Sequence, residues 1–255
     1  MQSVLKAFKV LESFSITTPE LKFSQIVDTT GLGKTNTHKL LKTLVSLNCI
    51  AQTHPRGPYR LGPKLFELGN QYVPHLNLRR VAVPFLVKLA EEFEGTAYLC
   101  IENNGEALCL ERIDGPSQVK VTVLERGGRL PLHAGAAPLA LLSGMDNESI
   151  ESLMKQKGFK KFTGHTLQNL TDLLEEIELI RKRGYSVSWE DVTIGVASFG
   201  APICDFSGEV IGAISIGGLL LQYQGRKKQY FIDLLIKTAE KISKKLGYDP
   251  NTRNP

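Results

Sequence analysis

Residues 22–48, KFSQIVDTTGLGKTNTHKLLKTLVSLN, decide how the first part of this chain folds. They predict two short helices joined by a tight turn. The first helix is expected to begin with Ser24 as its N-cap and to end near Thr30, where Gly-Leu-Gly at 31–33 reverses the backbone. The second is expected to begin near Lys34, and its apolar side chains recur at helical spacing: Leu40, Leu41, Leu44 and Leu47. The stretch therefore predicts a helix-turn-helix.

The face opposite these leucines is small, polar and basic. At about 100° per residue it holds Thr35, Lys39, Lys42 and Ser46, flanked by Asn36, His38 and Thr43. Short hydroxyls and amides near the start of a helix can approach base edges, and lysines further along can meet phosphates. A DNA recognition helix is predicted; the alternative is an ordinary amphipathic helix with a solvated face. The side chains predicted to contact DNA are Lys34, Thr35, Asn36, His38, Lys39, Lys42 and, from the next segment, Arg56.

A β-hairpin is predicted directly after the second helix. The runs 49–53 and 59–61 are typical of short strands, and His-Pro-Arg-Gly-Pro at 54–58 is dense in turn residues. Such a hairpin would form a wing with Arg56 at its tip and Arg60 on the returning strand, where guanidinium groups meet phosphates or the minor groove. A plain surface loop is equally compatible with these prolines.

The net charge of +5 is concentrated in this part of the chain. Residues 1–70 carry nine Lys and Arg against four Asp and Glu, whereas residues 71–255 carry 22 of each. A positive excess confined to one region is expected if that region neutralises phosphates. The predicted macromolecular partner is therefore double-stranded DNA.

Length and composition indicate an ordinary soluble protein. The 255 residues are 42% hydrophobic and 22% charged, enough for a small domain and a medium one. No apolar run approaches the ~20 residues of a membrane span and no signal segment opens the chain, so a cytoplasmic protein without membrane contact is expected. The four cysteines form no C-x-x-C pair, which favours free thiols, although Cys100 and Cys109 could face each other across a hairpin.

The remainder predicts an α+β domain with a mainly antiparallel sheet flanked by helices. Before the helix-turn-helix, one amphipathic helix is expected to pack through Val4, Ala7, Phe8, Leu11 and Phe14. After the wing, helices are predicted at 64–72, about 81–93, from about 136, at 147–157, at 169–183 and at 226–246. Strands are predicted at 96–102, 106–114, 118–125, 185–192, 196–205 and 210–217.

Motifs for catalysis are incomplete, so no catalytic residue, metal ligand or cofactor is predicted. Gly33-Lys34-Thr35 ends like a phosphate-binding loop, but the first glycine of that motif would fall on Asp28. The segment 195–200 misses G-x-S-x-G by one residue, and no H-E-x-x-H occurs. His133, beside a Gly/Ala-rich loop, could be a general base; a loop histidine bonded to the backbone is favoured, because no nucleophile or carboxylate partner can be assigned to it.

Six blocks in this order resemble the IclR family of bacterial transcriptional regulators: SVLKAFKVLESF, FSQIVDTTGLGKTNTHKLLKTLVSLN, YRLGPKLFELG, RLPLHAGAA, GYSVSWEDVTIGVASFGAPI and GAISIGG. The resemblance implies a winged helix-turn-helix at 1–62, a linker helix at 63–78 used in dimerisation, and a GAF-like effector-binding domain at 79–250. It further implies a homodimer or dimer of dimers whose operator affinity is changed by a small organic acid or aromatic compound. The predicted function is a ligand-responsive regulator that acts as a repressor; the alternative is a sensor-domain enzyme with an attached nucleic-acid module.

The resemblance also implies where an effector binds. Family members that bind small oxo-acids use backbone amides of the loop matching 133–137, an acid at the position of Ser188, a thiol at Ser198, and serines at Ser215 and Gly217. The effector residues inferred here are Ala136, Ala137, Ser188, Ser198, Ser215 and Gly217. Loop amides and hydroxyls without the acid favour an organic anion. Gly217, and Trp189 if it faces inward, favour an anion larger than a two- or three-carbon oxo-acid. The alternative is that Trp189 merely covers the sheet edge and that the pocket is collapsed.

Overall fold

The computed structural model describes residues 2–15, 18–52, 54–55, 57–72, 77–117, 123–223 and 226–249, with the side chains of 69–72 and 226 left out. The chain divides into two compact units, 1–76 and 77–255. Among the described residues, the helices are too short or too polar for any of them to cross a membrane.

The first unit contains the predicted helix-turn-helix and hairpin. Its helices are α1 (Gln2–Leu11), α2 (Phe23–Thr30), α3 (Lys34–Ser46) and α4 (Pro63–Tyr72). Its strands are β1 (Glu20–Leu21), β2 (Ile50–Gln52) and β3 (Tyr59–Leu61), in the order β1-β3-β2. The core between them consists of Val10, Phe14, Leu21, Ile26, Leu41, Leu44 and Ile50. The recognition helix is thus held by two leucines of its predicted apolar stripe.

The start of α2 differs from the prediction by two residues. Lys22, not Ser24, is the N-cap, because the Gln25 side chain turns back and accepts the Lys22 backbone N–H at 2.8 Å. This bond satisfies a donor that would otherwise be left free at the helix start. Gly31 ends the helix as predicted, with a positive φ of 66° that a glycine adopts without strain.

Two predicted packing faces are partly wrong. Leu47 follows the last residue of α3 and is 56% exposed. In α1, Val4 and Phe8 are 61% and 57% exposed. The other predicted residues, Ala7, Leu11 and Phe14, do pack in the core, together with Val10. Val4, Leu5 and Phe8 therefore form an apolar surface on α1 that no described residue covers.

The second unit is a six-stranded sheet between two helical layers. Its helices are α5 (Asn77–Phe93), α6 (Ala136–Leu142), α7 (Asn147–Lys157), α8 (Leu170–Arg183) and α9 (Arg226–Lys245). Its strands are β4 (Thr96–Asn103), β5 (Glu106–Asp114), β6 (Arg129–Pro131), β7 (Ser186–Trp189), β8 (Val196–Cys204) and β9 (Val210–Leu219). All neighbours are antiparallel, in the order β6-β5-β4-β9-β8-β7. This is the predicted α+β class.

Alternation along the strands gives each face of the sheet its own core. On one face, Leu99, Phe199 and Ile216 pack with α5 and α9. On the other face, Cys100 and Cys109 pack with α6, α7 and α8. These two cysteines are cross-strand partners and both are free thiols, as the sequence allowed.

The edge strand of the sheet was not predicted. Residues 118–122 of the expected strand 118–125 lie outside the described residues, and 123–125 form no strand. Instead, Arg129–Pro131 pairs with β5, and the backbone of Gly127 and Gly128 extends this pairing through two hydrogen bonds with Cys109, of 2.8 and 3.0 Å. Glycine and proline are weak strand formers, so the sequence favoured a loop there.

Candidate functional site

The polar face of α3 is free to meet another molecule. Lys34, Thr35, Asn36, His38, Lys39 and Lys42 are all exposed. The one hydroxyl in this stretch that turns inward is Thr37, which is fully buried and donates to the Gly33 carbonyl at 3.2 Å. Thr37 therefore fixes the first turn of the helix from inside while the side chains around it remain outside.

The three lysines of this face are available as cations. No carboxylate among the described residues lies within 4.0 Å of any of them. His38 rests its ring edge against Phe23 of α2, with 6.4 Å between the ring centroids. On the wing, Arg60 is exposed on β3, whereas Arg56 lies outside the described residues. The arrangement provides base-reading groups at the start of α3 and phosphate-binding charges further along it.

The second unit contains a pocket between α6 and the sheet. Its lining includes Ala136, Ala137, Ser188, Ser198, Ser215 and Gly217. The structure thus brings all six inferred effector residues together. Apolar walls come from Tyr98, Leu124, Leu130 and Val196. An apolar lining with few polar groups is typical of small-molecule sites.

The hydroxyls of this pocket lie on neighbouring strands. Ser188 on β7 is directly opposite Ser198 on β8, which in turn is opposite Gly217 on β9. A Cβ built on Gly217 would lie 3.5 Å from the Ser198 Cβ and 3.9 Å from the Tyr98 ring, both ordinary contacts, so the glycine leaves usable space. No hydrogen bond to another described residue occupies the hydroxyls of Ser198 or Ser215.

Trp189 does not line the pocket. It follows Ser188 on β7 and therefore faces the opposite side of the sheet, where it packs against the α5 and α9 core and lies under the Lys228 ammonium. Of the two orientations that the sequence left open for Trp189, the structure has the one directed away from the pocket. The aromatic wall is instead Tyr98, whose burial raises its phenol pKa to about 12, so the ring presents a neutral hydroxyl.

Asp191 is a site residue that sequence reasoning did not place. Its carboxylate is buried, accepts the Gly135 backbone N–H at 2.9 Å through Oδ2, and accepts the Ser188 hydroxyl through Oδ1. Glu190 has a positive φ of 58°, which breaks the strand alternation and turns Asp191 back towards the loop. Of the loop amides, that of Gly135 is therefore already engaged.

His133 has the geometry of a structural histidine. It is 1% exposed, its Nε2 donates to the Lys160 carbonyl at 3.0 Å, and its ring edge packs on Phe159. Burial lowers its pKa, which keeps the ring neutral near pH 7. Its Nδ1 has no partner among the described residues, and His133 is not part of the pocket lining. The general-base alternative gains no support from this geometry.

Comparison with known proteins agrees with both units. The model of the IclR helix-turn-helix domain matches residues 3–54, and that of the bacterial transcriptional regulator IclR C-terminal domain matches residues 70–244. The chain belongs to the IclR family. Like other members, it is a helix-turn-helix, DNA-binding transcriptional regulator with a C-terminal effector-binding domain.

Individual relatives cover nearly the whole chain. HTH-type transcriptional regulator KipR of Bacillus subtilis is 30% identical over 247 residues, 97% of this chain and 98% of its own. Transcriptional repressor IclR of Escherichia coli is 27% identical over 249 residues, 97% and 90% of the two chains. The crystal structure of an IclR homolog from Microbacterium hydrocarbonoxydans, complexed with 4-hydroxybenzoate, has a TM-score of 0.85 at 23% identity and covers 96% and 98% of the two chains.

Proposed function

We propose that this protein is a repressor that binds operator DNA through α3 and the wing and changes its operator affinity when a small organic acid occupies the pocket beneath α6. The observation that carries the proposal is the convergence of the six inferred effector residues on one pocket, in a chain whose other unit presents a free polar and basic recognition helix. Sequencing the DNA fragments that the protein retains from its own genome tests it. Salt-dependent enrichment of a promoter fragment is expected; retention without sequence preference would contradict it.

The effector proposed here is an organic acid with an apolar body. The hydroxyls of Ser198 and Ser215, and the backbone amides of Ala136 and Ala137 in the first turn of α6, are available donors for a carboxylate. The apolar walls of the pocket would pack against the apolar part of the acid, either a ring or an aliphatic chain about as large as a ring. The acid is therefore larger than a two- or three-carbon oxo-acid, as the sequence suggested, although the wall is Tyr98 rather than Trp189.

Blocking the pocket should abolish effector binding. Ser215 is 4% exposed and faces the cavity, so Ser215→Leu fills space that the ligand needs and removes a hydroxyl. Calorimetry with a panel of aromatic and aliphatic acids is expected to find micromolar to millimolar binding to the original chain and a loss of at least about tenfold in the variant, equal to about 1.4 kcal/mol. The matched control is Ser152→Leu on the exposed face of α7. If Ser215→Leu binds the best acid as tightly as the control, the site is misplaced.

The protein is further proposed to act as a homodimer or a dimer of dimers. One winged helix reads only a few base pairs, and two-fold operators match two-fold proteins. The first unit exposes large apolar side chains that suit self-association: Val4, Leu5 and Phe8 on α1, and Phe66 and Leu68 on α4. Three apolar positions of the linker helix predicted at 63–78 are proposed as further contacts: Leu65, which is half-buried, Leu68, which is exposed, and Tyr72, whose side chain lies outside the described residues.

Sedimentation measures this directly. At micromolar concentration a dimer or tetramer is expected, and Phe8→Lys or Leu68→Lys should shift it towards monomer, because each places a charge in a desolvated contact. Lys9→Glu on the same helix is the control, since Lys9 is exposed beside the apolar surface. A monomer that still binds an operator tightly would contradict the assembly.

The enzyme alternative is not supported by a specific observation. Asp191, the buried carboxylate behind the pocket, is engaged by the Gly135 amide and the Ser188 hydroxyl, and no histidine or lysine is among the described residues that line the pocket. Incubating the protein with the acids that bind it, and analysing them for products, separates the two functions. Unchanged acids are expected.

A further inference from the structure

The hydroxyl proton of Ser188, a residue of the pocket lining, is already used in a hydrogen bond within the protein. Its hydroxyl donates to Asp191 Oδ1, and Asp191 lies behind it, outside the pocket lining. Asp191 is 7% exposed and its other oxygen holds the Gly135 N–H, so the carboxylate is fixed between two donors. A serine hydroxyl has one proton and two lone pairs. Towards the cavity, Ser188 therefore presents lone pairs only.

The other two pocket serines differ from Ser188 in this respect. The hydroxyls of Ser198 and Ser215 have no partner among the described residues and can turn their protons towards a ligand. Ser198 is directly across from Ser188, so an acceptor-only hydroxyl and a free one lie side by side on neighbouring strands. The pocket thus has one end that accepts hydrogen bonds, backed by a negative charge, and a remaining surface that can donate them.

From this polarity we infer that Ser188 and Asp191 select effectors that carry a hydroxyl or N–H donor in addition to the carboxylate. The inference rests on the proposed effector site. A ligand acceptor placed against Ser188 would either face lone pairs or take the proton away from Asp191, leaving a buried carboxylate oxygen short of a partner. A ligand carboxylate at the same position would also be repelled by the fixed charge of Asp191. A ligand O–H or N–H can donate to the lone pairs of Ser188, so neither the lost hydrogen bond nor the charge repulsion arises.

Matched pairs of acids test the inference on the full chain. The probes are 4-hydroxybenzoate, 4-fluorobenzoate and benzoate, with the corresponding 3-substituted acids, measured by calorimetry. Fluorine is close to a hydroxyl in size but cannot donate a hydrogen bond. At least one of the two hydroxy acids is expected to bind at least about tenfold more tightly than its fluoro partner, the ratio that one unmade hydrogen bond of about 1.4 kcal/mol produces.

Two variants separate selectivity from simple loss of structure. Ser188→Ala removes the acceptor, so the hydroxy-to-fluoro ratio should fall towards one while benzoate affinity is kept. Asp191→Asn keeps the shape and can still accept the Gly135 N–H, but its amide can donate to Ser188 and release the serine proton; the same ratio should fall. Thermal unfolding confirms that both variants fold. A purely structural role would lower all affinities equally and leave the ratio unchanged.

The outcomes distinguish this inference from the proposed effector site. Equal binding of hydroxy and fluoro acids to the original chain, or a ratio that survives Ser188→Ala, overturns the selection of a donor while the pocket assignment stands. Absence of binding by every acid, with and without a hydroxyl, overturns the effector site and the selection together. A ratio that collapses in both variants, with benzoate still bound, supports the inference.

Discussion

Replacing both Lys39 and Lys42 with alanine is expected to weaken binding to every DNA sequence by roughly 30-fold at 0.15 M salt. Both lysines are exposed on α3 and free of ion pairs with described residues. Each phosphate that is no longer neutralised lowers the slope of log affinity against log salt by about 0.9, which corresponds to about fivefold at that salt concentration. The losses from the two lysines multiply to roughly 30-fold. Anisotropy titrations of operator and random DNA across a salt series measure both quantities.

The same experiment has internal controls. Lys9→Ala removes an exposed lysine from α1 and should change neither affinity nor slope. Thr35→Ala, Asn36→Ala and His38→Ala should instead change the preference between operators, because groups at the start of a recognition helix reach base edges. Arg56→Ala, at the predicted wing tip, should act like the lysines. If the affinities and salt slopes of all these variants equal those of the original chain, α3 does not read DNA.

A buried ion-pair cluster should give the largest stability effect. Glu111 on β5 is 2% exposed and pairs with Arg79 in the first turn of α5 at 2.5 Å. Arg126, in the segment 123–128 that also forms a pocket wall, pairs with its other oxygen at 3.1 Å. The side chain of Arg126 is 63% exposed and that of Arg79 only 29%. Arg79 therefore balances most of the buried charge.

Arg79→Met is expected to lower the free energy of unfolding by about 2 kcal/mol, since removing one partner of a buried pair costs about 3–5 kcal/mol and the partial exposure of Arg79 reduces that cost. Arg126→Met should cost less than about 1 kcal/mol, as an exposed pair does. Urea unfolding followed by circular dichroism measures both. The double variant Arg79→Met/Glu111→Leu should recover part of the loss, because no unpaired carboxylate remains. If Arg79→Met and Arg126→Met lower the free energy of unfolding equally, Arg79 does not balance most of the Glu111 charge.

The features that sequence predicted well are local. The helix-turn-helix follows from the spacing of Leu41 and Leu44 and from Gly31, and the structure keeps these within a residue or two of the expected bounds. Strands β4, β8 and β9 follow from their alternating or continuous apolar runs. In these elements the neighbours along the chain decide the conformation, so no knowledge of tertiary contacts is required.

The features that sequence missed depend on contacts between distant segments or on single backbone angles. Asp191 turns inward because Glu190 adopts a left-handed conformation. A positive φ is uncommon for a residue other than glycine, so the sequence does not predict it at a glutamate. The strand Arg129–Pro131 exists because β5 offers it an edge. The orientation of Trp189, by contrast, follows from the sequence. Adjacent residues of a strand point to opposite sides of the sheet, so a Ser188 that lines the pocket places Trp189 on the other face.

The measurement that tests the central claim most directly is the affinity for a promoter fragment retained from the genome, with and without a saturating acid that binds the pocket. The account predicts that the acid weakens the binding of the original chain to that fragment by about 5- to 150-fold, the usual range of coupling between two sites. In Ser215→Leu a higher concentration of the acid should be needed for the same weakening, by at least about tenfold, while binding to DNA without acid is unchanged. An acid that occupies the pocket by calorimetry yet leaves the affinity for the fragment unaltered would contradict the account.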